Sequence, residues 1–149
     1  MDGTTGRGAP AGRVLGLDLG AARIGVAVSD DDRRVAVPHG TIHVGQPPGE
    51  LHAVAALVLE LRATVVVVGH PRSMSGASGP QAQQAEAFAE ALRAVLDVPV
   101  ELQDERLTTA QAERSLRATG VRGRRRRDVV DESAAALILG AWLDARADR

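Results

Sequence analysis

The chain has 149 residues, a formal net charge of −1, 44% hydrophobic and 25% charged residues, and no cysteine. That length predicts one domain with a closed core, and the lack of cysteine excludes disulfides, thiolate nucleophiles and cysteine-ligated metals. Phe88 and Trp142 are the only aromatic residues, 1% of the chain, so the core has to be built from Ala, Val, Leu and Ile, and base stacking is closed to it as a means of recognition.

Met1 to Gly12 contains no apolar segment and is expected to be a disordered tail, with a single domain over residues 13–149. No apolar run approaches the length of a membrane span, so neither anchor nor signal peptide is expected, and a cytoplasmic location fits. Residues 14–30 then read as two aliphatic strands joined by a tight turn. Leu15, Leu17 and Leu19 alternate onto one face, which leaves Gly16, Asp18 and Gly20 on the other, with Asp18 projecting into open space. Ile24, Val26 and Val28 repeat the pattern opposite Gly25, Ala27 and Ser29. A charge inside such a strand is costly unless it is paired or bound to a metal; a plainer alternative has Asp18 ending a strand and capping the turn.

Asp30-Asp31-Asp32-Arg33-Arg34 reads as a solvated turn, and Val35 to Val44, interrupted by Pro38 and Gly40, as a bent edge strand. Glu50 to Arg62 places Leu51, Val54, Val58 and Leu61 on one helical stripe. Thr64-Val65-Val66-Val67-Val68-Gly69 has the continuous β-branched character of a strand buried on both faces, hence of a parallel sheet covered by helices. The Gly- and Ser-rich loop from His70 to Gly79 follows, outside the carboxyl end of a strand, where open α/β sheets place ligands. His70 is a candidate for contact chemistry there, against the plainer reading of a structural histidine.

Pro80 opens a helix with Ala85, Phe88, Ala89, Leu92 and Leu96 as its buried stripe, and Val98 to Leu102 is a short strand. After Asp104-Glu105-Arg106, Thr108 and Gln111 form a capping box for a helix from Thr109 to about Thr119. Val121-Arg122-Gly123-Arg124-Arg125-Arg126-Arg127 lacks periodicity and carries too much like charge to be ordered by itself. The last helix is expected from Asp128 to Arg146, with Ala134, Leu137, Ile138, Ala141 and Ala145 buried. Its early acids, Asp128, Asp131 and Glu132, also sit where a helix dipole favours them.

Three separated acids stand out: Asp18, Glu105 and Asp131. Carboxylates gathered from distant positions stay ionised together only when cations neutralise them, which points to one or two hard divalent ions, Mg2+ or Mn2+. Two such ions can activate water and stabilise the leaving oxygen in phosphodiester hydrolysis. Arg114, Arg117, Arg122, Arg124, Arg125, Arg126 and Arg127 crowd one region and are suited to a nucleic-acid backbone, with a solvated loop as the alternative for the last four.

LGLDLGAARIGVAVSD from Leu15, VVVVGHPRSMSG from Val65, DERLTT from Asp104 and VDESAAALIL from Val130 occur in this order. With them the chain resembles the YqgF or RuvX family of Holliday junction resolvases and pre-16S rRNA processing nucleases, over Arg13 to about Leu143. The resemblance implies an α/β ribonuclease-H-like fold: a five-stranded mixed sheet of order 3-2-1-4-5, three antiparallel strands followed by two parallel ones, with helices on both faces. It implies a metal-dependent nuclease that processes the 5′ end of pre-16S rRNA, in contact with nucleic acid and the ribosome. The alternatives are a resolvase of branched DNA and a non-catalytic RNA- or ribosome-assembly binder.

Asp18, Glu105 and Asp131 match the family's metal-holding catalytic acids. Arg106 matches the arginine of its Asp-Glu-Arg motif, suited to a bidentate phosphate contact. Arg72, Arg124, Arg125, Arg126 and Arg127 join it as expected nucleic-acid contacts. His70, Arg72 and Glu132 depart from the residues common in the family, which opens the question whether His70 or Glu132 joins the site. Asp18-x-Gly20-x4-Gly25-x-Ala27 also resembles the phosphate loop of the actin-like and sugar-kinase superfamily, but enclosing a nucleotide that way takes two such domains.

Overall fold

The computed structural model describes residues 11–72, 79–105 and 124–147, with the side chains of the last helix described from Ser133 onward. The tail before Ala11, the loop over residues 73–78, and the helix expected from Thr109 to Thr119 lie outside the described residues. Five strands, β1 (Arg13–Leu19), β2 (Arg23–Ser29), β3 (Ala36–His43), β4 (Ala63–His70) and β5 (Val100–Asp104), form one sheet in the order β3-β2-β1-β4-β5. The first three pair antiparallel, and β4 and β5 are parallel to β1, so the topology matches the expected order.

The β1–β2 hairpin closes with the Gly20 N–H donating to the Arg23 carbonyl at 2.8 Å, so close that a Cβ on Gly20 would stand 2.8 Å from the same oxygen. Pro38 lies on the edge strand, where a missing N–H costs least. There Val26 pairs with Gly40 and Ala27 with Pro38, so His39 is the extra residue of a bulge that bends the strand.

Helices α1 (Glu50–Leu61) and α2 (Pro80–Val95) cover one face, and α3 (Arg124–Asp144) covers the other. Strand alternation sorts the side chains between them. Leu15, Leu17, Ile24, Val26, Val66 and Val68 pack with Val54 and Val58 of α1 and Ala85, Ala89 and Leu92 of α2. Val14, Ala27, Val65 and Val67 pack beneath α3. Phe88 and Leu96, expected in the α2 stripe, pack only at the margin of the core, and Ala82 is buried in addition.

The last helix differs from expectation in two ways. It begins at Arg124 rather than Asp128, so Arg124, Arg125, Arg126 and Arg127 are helical and not an irregular loop. Arg has a good intrinsic helix propensity, and like charge by itself does not forbid extending a helix that the sheet already anchors. Its buried stripe is Ala134, Ala135, Ile138, Leu139, Trp142 and Leu143, whereas Leu137 and Ala141 are only partly buried and Ala145 is exposed beyond the helix end. Trp142 sets that phase. Its indole N–H donates to Glu101 Oε1 at 3.0 Å, and the Arg146 guanidinium lies 3.9 Å above the ring and 3.1 Å from the same carboxylate oxygen. These contacts rotate the helix to point Trp142 at the sheet.

α3 lies very close to β1. A Cβ on Gly16 would fall 2.8 Å from Leu139 Cβ and 3.4 Å from the Ala135 carbonyl, atoms that only a shift of the helix could move. Gly16→Ala is therefore expected to destabilise the fold by about 1–3 kcal/mol through overpacking, read as a lower urea midpoint at unchanged slope.

The acidic turn after β2 is more than solvated charge. The Asp30 carboxylate accepts the N–H groups of Arg34 at 2.8 Å and Val35 at 2.9 Å. These hold the carboxyl below its ordinary value of 3.8, the Val35 N–H most strongly, with desolvation opposing and Arg34 adding. A lowered folded-state value means the stabilisation is present above the ordinary carboxylate range and is lost as pH falls through the folded value. Asp30→Ala should lower stability at pH 7 and flatten its decline below pH 4, seen by comparing urea midpoints across that range.

Candidate active site

Asp18 is on β1 and Glu105 directly follows β5, so the two acids come from strands separated by β4. Both are buried, Asp18 at 2% and Glu105 at 1% exposure, and Ser29 is the remaining buried polar residue among those described. Ser29 has a structural explanation, because its Oγ accepts the Val14 N–H at 2.9 Å and donates to the Asp30 carbonyl at 2.9 Å. The buried charges are thus two of the three acids singled out from the sequence.

Alternation along β1 puts Asp18 on the same face as Gly16, the face beneath α3. Asp18 pairs with Gly25 on β2, and the register Leu17 to Val68 brings Gly69 of β4 alongside it on the other flank. The aspartate therefore stands in a row between two glycines. The expectation of open space around it is corrected by its 2% exposure: the floor is low, as Gly25 suggested, but the end of the sheet is enclosed rather than open.

Glu105 continues the β4–β5 ladder, its N–H donating to the His70 carbonyl at 3.2 Å. Its carboxylate lies over Gly69. A Cβ there would overlap Glu105 Oε2 and stand 3.1 Å from Glu105 Cδ and 2.7 Å from Ile138 Cδ1 of α3. The direction toward Ile138 shows that Glu105 and Asp18 occupy the same face of the sheet.

α3 runs antiparallel to β1: Val14 shares a cluster with Trp142 and Leu143, while Gly16 meets Leu139 and Ala135. Asp131, one turn before Ala135, is therefore carried by the backbone toward the Asp18 end of the strand. The backbone of Arg124, Arg125, Arg126 and Arg127 forms the opening turns of the same helix, ahead of Asp131. The side chains of Asp131, Glu132 and these four arginines, and the whole of Arg106, lie outside the described residues. Among the described residues no three carboxylates or histidines form a metal cluster.

His70 is a partner of α2, its Nε2 lying 2.7 Å from Glu86 Oε2. Arg72 lies 3.7 Å from the Asp104 carboxylate. Sequence reasoning missed both pairs, since neither spacing carries a periodic signal. It also passed over Gly69, although a glycine closing a run of four valines at a carboxyl strand end was a usable sign of close approach.

A five-stranded sheet of this order, with two helices on one face, one on the other, an acid near the carboxyl end of its central strand and a second after its last strand, is the ribonuclease-H-like architecture of the junction resolvases. The fold matches RuvC of T. thermophilus, solved in complex with a Holliday junction substrate, with a TM-score of 0.52 at 18% identity over 91% of this chain and 96% of that one. It also matches the Fowlpox virus resolvase, solved with its substrate Holliday junction DNA, with a TM-score of 0.51 at 8% identity over 90% and 98% of the two chains.

The chain belongs to the RuvX family, described as Holliday junction resolvase, whose model matches residues 12–145. Similar curated proteins carry the name "Putative pre-16S rRNA nuclease": one from Mycobacterium tuberculosis is 51% identical over 91% of this chain and 80% of its own length. Another, from Chloroflexus aggregans, is 47% identical over 89% and 94%.

Proposed function

We propose that residues 13–149 form a single nuclease domain that hydrolyses phosphodiester bonds with divalent metal ions and processes the 5′ end of pre-16S rRNA in the cytoplasm. The observation that carries this reading is the burial of Asp18 and Glu105 on one face of the sheet, at its carboxyl edge. Carboxylates gathered in such a setting are the kind of group that a divalent cation binds. Carboxylate oxygens are the donors that Mg2+ and Mn2+ favour, and Gly69, on the flank of Asp18, leaves the space in which the Glu105 carboxylate lies on the same face. The residues present therefore fit such a metal.

Asp18 and Glu105, joined by Asp131 from the first turns of α3, would hold one or two ions. Bound there, the metal supplies Lewis-acid activation of water and charge stabilisation at the leaving oxygen. The chain's own groups do the rest. The three carboxylates fix the site's geometry, and the packed face beneath α3 limits water to one side. Arg106, and Arg72 beside the edge of β4, would hold phosphate oxygens, Arg106 by a bidentate contact.

Arg124, Arg125, Arg126 and Arg127 occupy the first turns of α3, where the positive end of the helix dipole disfavours cations. A run that opposes the dipole gains from an anionic partner, and a nucleic-acid backbone next to a carboxylate site needs such cations. A second reading, cleavage of branched DNA, is favoured by the family's description and by the junction substrate of the T. thermophilus relative in fold. The deciding experiment incubates the purified protein with Mg2+ and, separately, a pre-16S 5′-leader RNA and a four-way DNA junction. Cleavage of the RNA alone supports rRNA processing, cleavage of the junction alone supports resolution, and no cleavage of either overturns the enzymatic reading in favour of a binding protein.

Asp18→Asn keeps size and removes charge. Cleavage should fall more than about 100-fold, beyond the loss typical of an outer-shell substitution, while the metal-free variant melts at or above the wild-type temperature. Changing Arg124, Arg125, Arg126 and Arg127 together to Ser should weaken binding by a similar factor across sequences and flatten its salt dependence by roughly 0.7 to 0.9 in log–log slope per lost phosphate contact. Turnover at saturating substrate should change much less.

A further inference from the structure

We propose that Gly69 is a positioning residue: the missing side chain on β4 is the space that the Glu105 carboxylate occupies as it extends over β4 toward the side of Asp18. β5 is separated from β1 by β4, so a side chain starting after β5 must extend over β4, one strand spacing or roughly 5 Å, to face the side of the sheet where Asp18 stands. Val65 and Val67, earlier on β4, fill the face toward α3 with their own side chains. At Gly69 the face is empty of β4's own side chain, and Glu105 lies in the gap, its Cδ 3.1 Å from where a Cβ would stand.

The gap has a ceiling as well as a floor. Ile138 Cδ1 stands 2.7 Å from the same Cβ position, so the carboxylate runs in a slot between β4 and α3. An added methyl would meet the ends of two side chains, the Glu105 carboxylate and Ile138 Cδ1, and no backbone atom is among its three nearest neighbours. The carboxylate is the movable part, and it would be turned out of the slot. A glycine here is thus set by the room the Glu105 carboxylate takes rather than by backbone conformation.

This inference rests on the metal-site reading above, and its test separates the two. Ile138→Val serves as the reference background because it removes Cδ1, so that of the three nearest atoms to a new Cβ only those of Glu105 remain. In that background, where the nearest apolar atom is removed, Gly69→Ala should remain folded by circular dichroism and bind Mn2+, followed by electron paramagnetic resonance, roughly 10- to 100-fold more weakly. The metal-free proteins give a second readout. Gly69→Ala should lower the melting temperature by about 3–10 °C when position 105 is Glu, and by far less when it is Ala, because the overlapping carboxylate is gone.

Mn2+ affinity within twofold of the background, or an equal loss of melting temperature with Glu or Ala at position 105, would overturn the role of Gly69. Failure of the Ile138→Val background and the wild type alike to bind Mn2+ would instead overturn the metal-site reading, and the melting comparison would still decide whether Gly69 positions Glu105.

Discussion

Everything on one side of this sheet depends on how closely α3 approaches it. Leu139 rests over Gly16, Ala134 and Ala135 bring the helix backbone down, and Trp142 anchors the far end to Glu101. A close helix leaves little room for water, so the acids beneath its first turns, Asp18 and Glu105, lie in a medium where charge is expensive. Packing and chemistry are one problem here: Gly16, which admits the helix, and Gly69, which admits the Glu105 carboxylate, also produce the setting in which two acids are buried.

The two faces of the sheet divide the work. The face under α1 and α2 is aliphatic throughout, from Leu15 to Val68, and tolerates helices at ordinary distance. The face under α3 grades from Val14, Val67 and Trp142 at one end to Asp18 and Glu105 at the other. β1 contributes to both, as β2 and β4 do, and its alternation is what keeps its stabilising side chains apart from its acidic one. A one-residue slip in its register would exchange them.

The strands were readable in the sequence because most had a local signal, whereas their order came with the family resemblance. Strict alternation marked β1 and β2, Pro38 marked an edge, and four consecutive valines marked β4 as buried on both sides. The acids were readable for a related reason: Asp18 interrupts an apolar strand, and Glu105 sits in a motif that helix capping does not explain. What failed depended on contacts from elsewhere in the chain. The rotation of α3 is set by Trp142 meeting Glu101 on β5, and the burial of Asp18 by a helix that begins more than a hundred residues later. The start of that helix was misplaced because Arg125 and Arg126, with their neighbours, carry no apolar period to announce it, and the anchor that lets them be helical lies further along, at Ala134 and beyond. The capture of His70 by Glu86 joins a strand end to a helix face with no shared periodicity.

The position of α3 in the chain has a consequence for synthesis. β1 is made early, yet it lies at the centre of the sheet, and α3, which covers its second face, comes after all five strands. A chain emerging in order can pair its strands and cover one face with α1 and α2, but Val14, Ala27, Val65 and Val67 stay bare until that helix arrives. Such an intermediate exposes apolar surface and keeps its acids in contact with water. The setting that makes those charges costly therefore forms only once α3 has been made, and no shorter nascent fragment carries it.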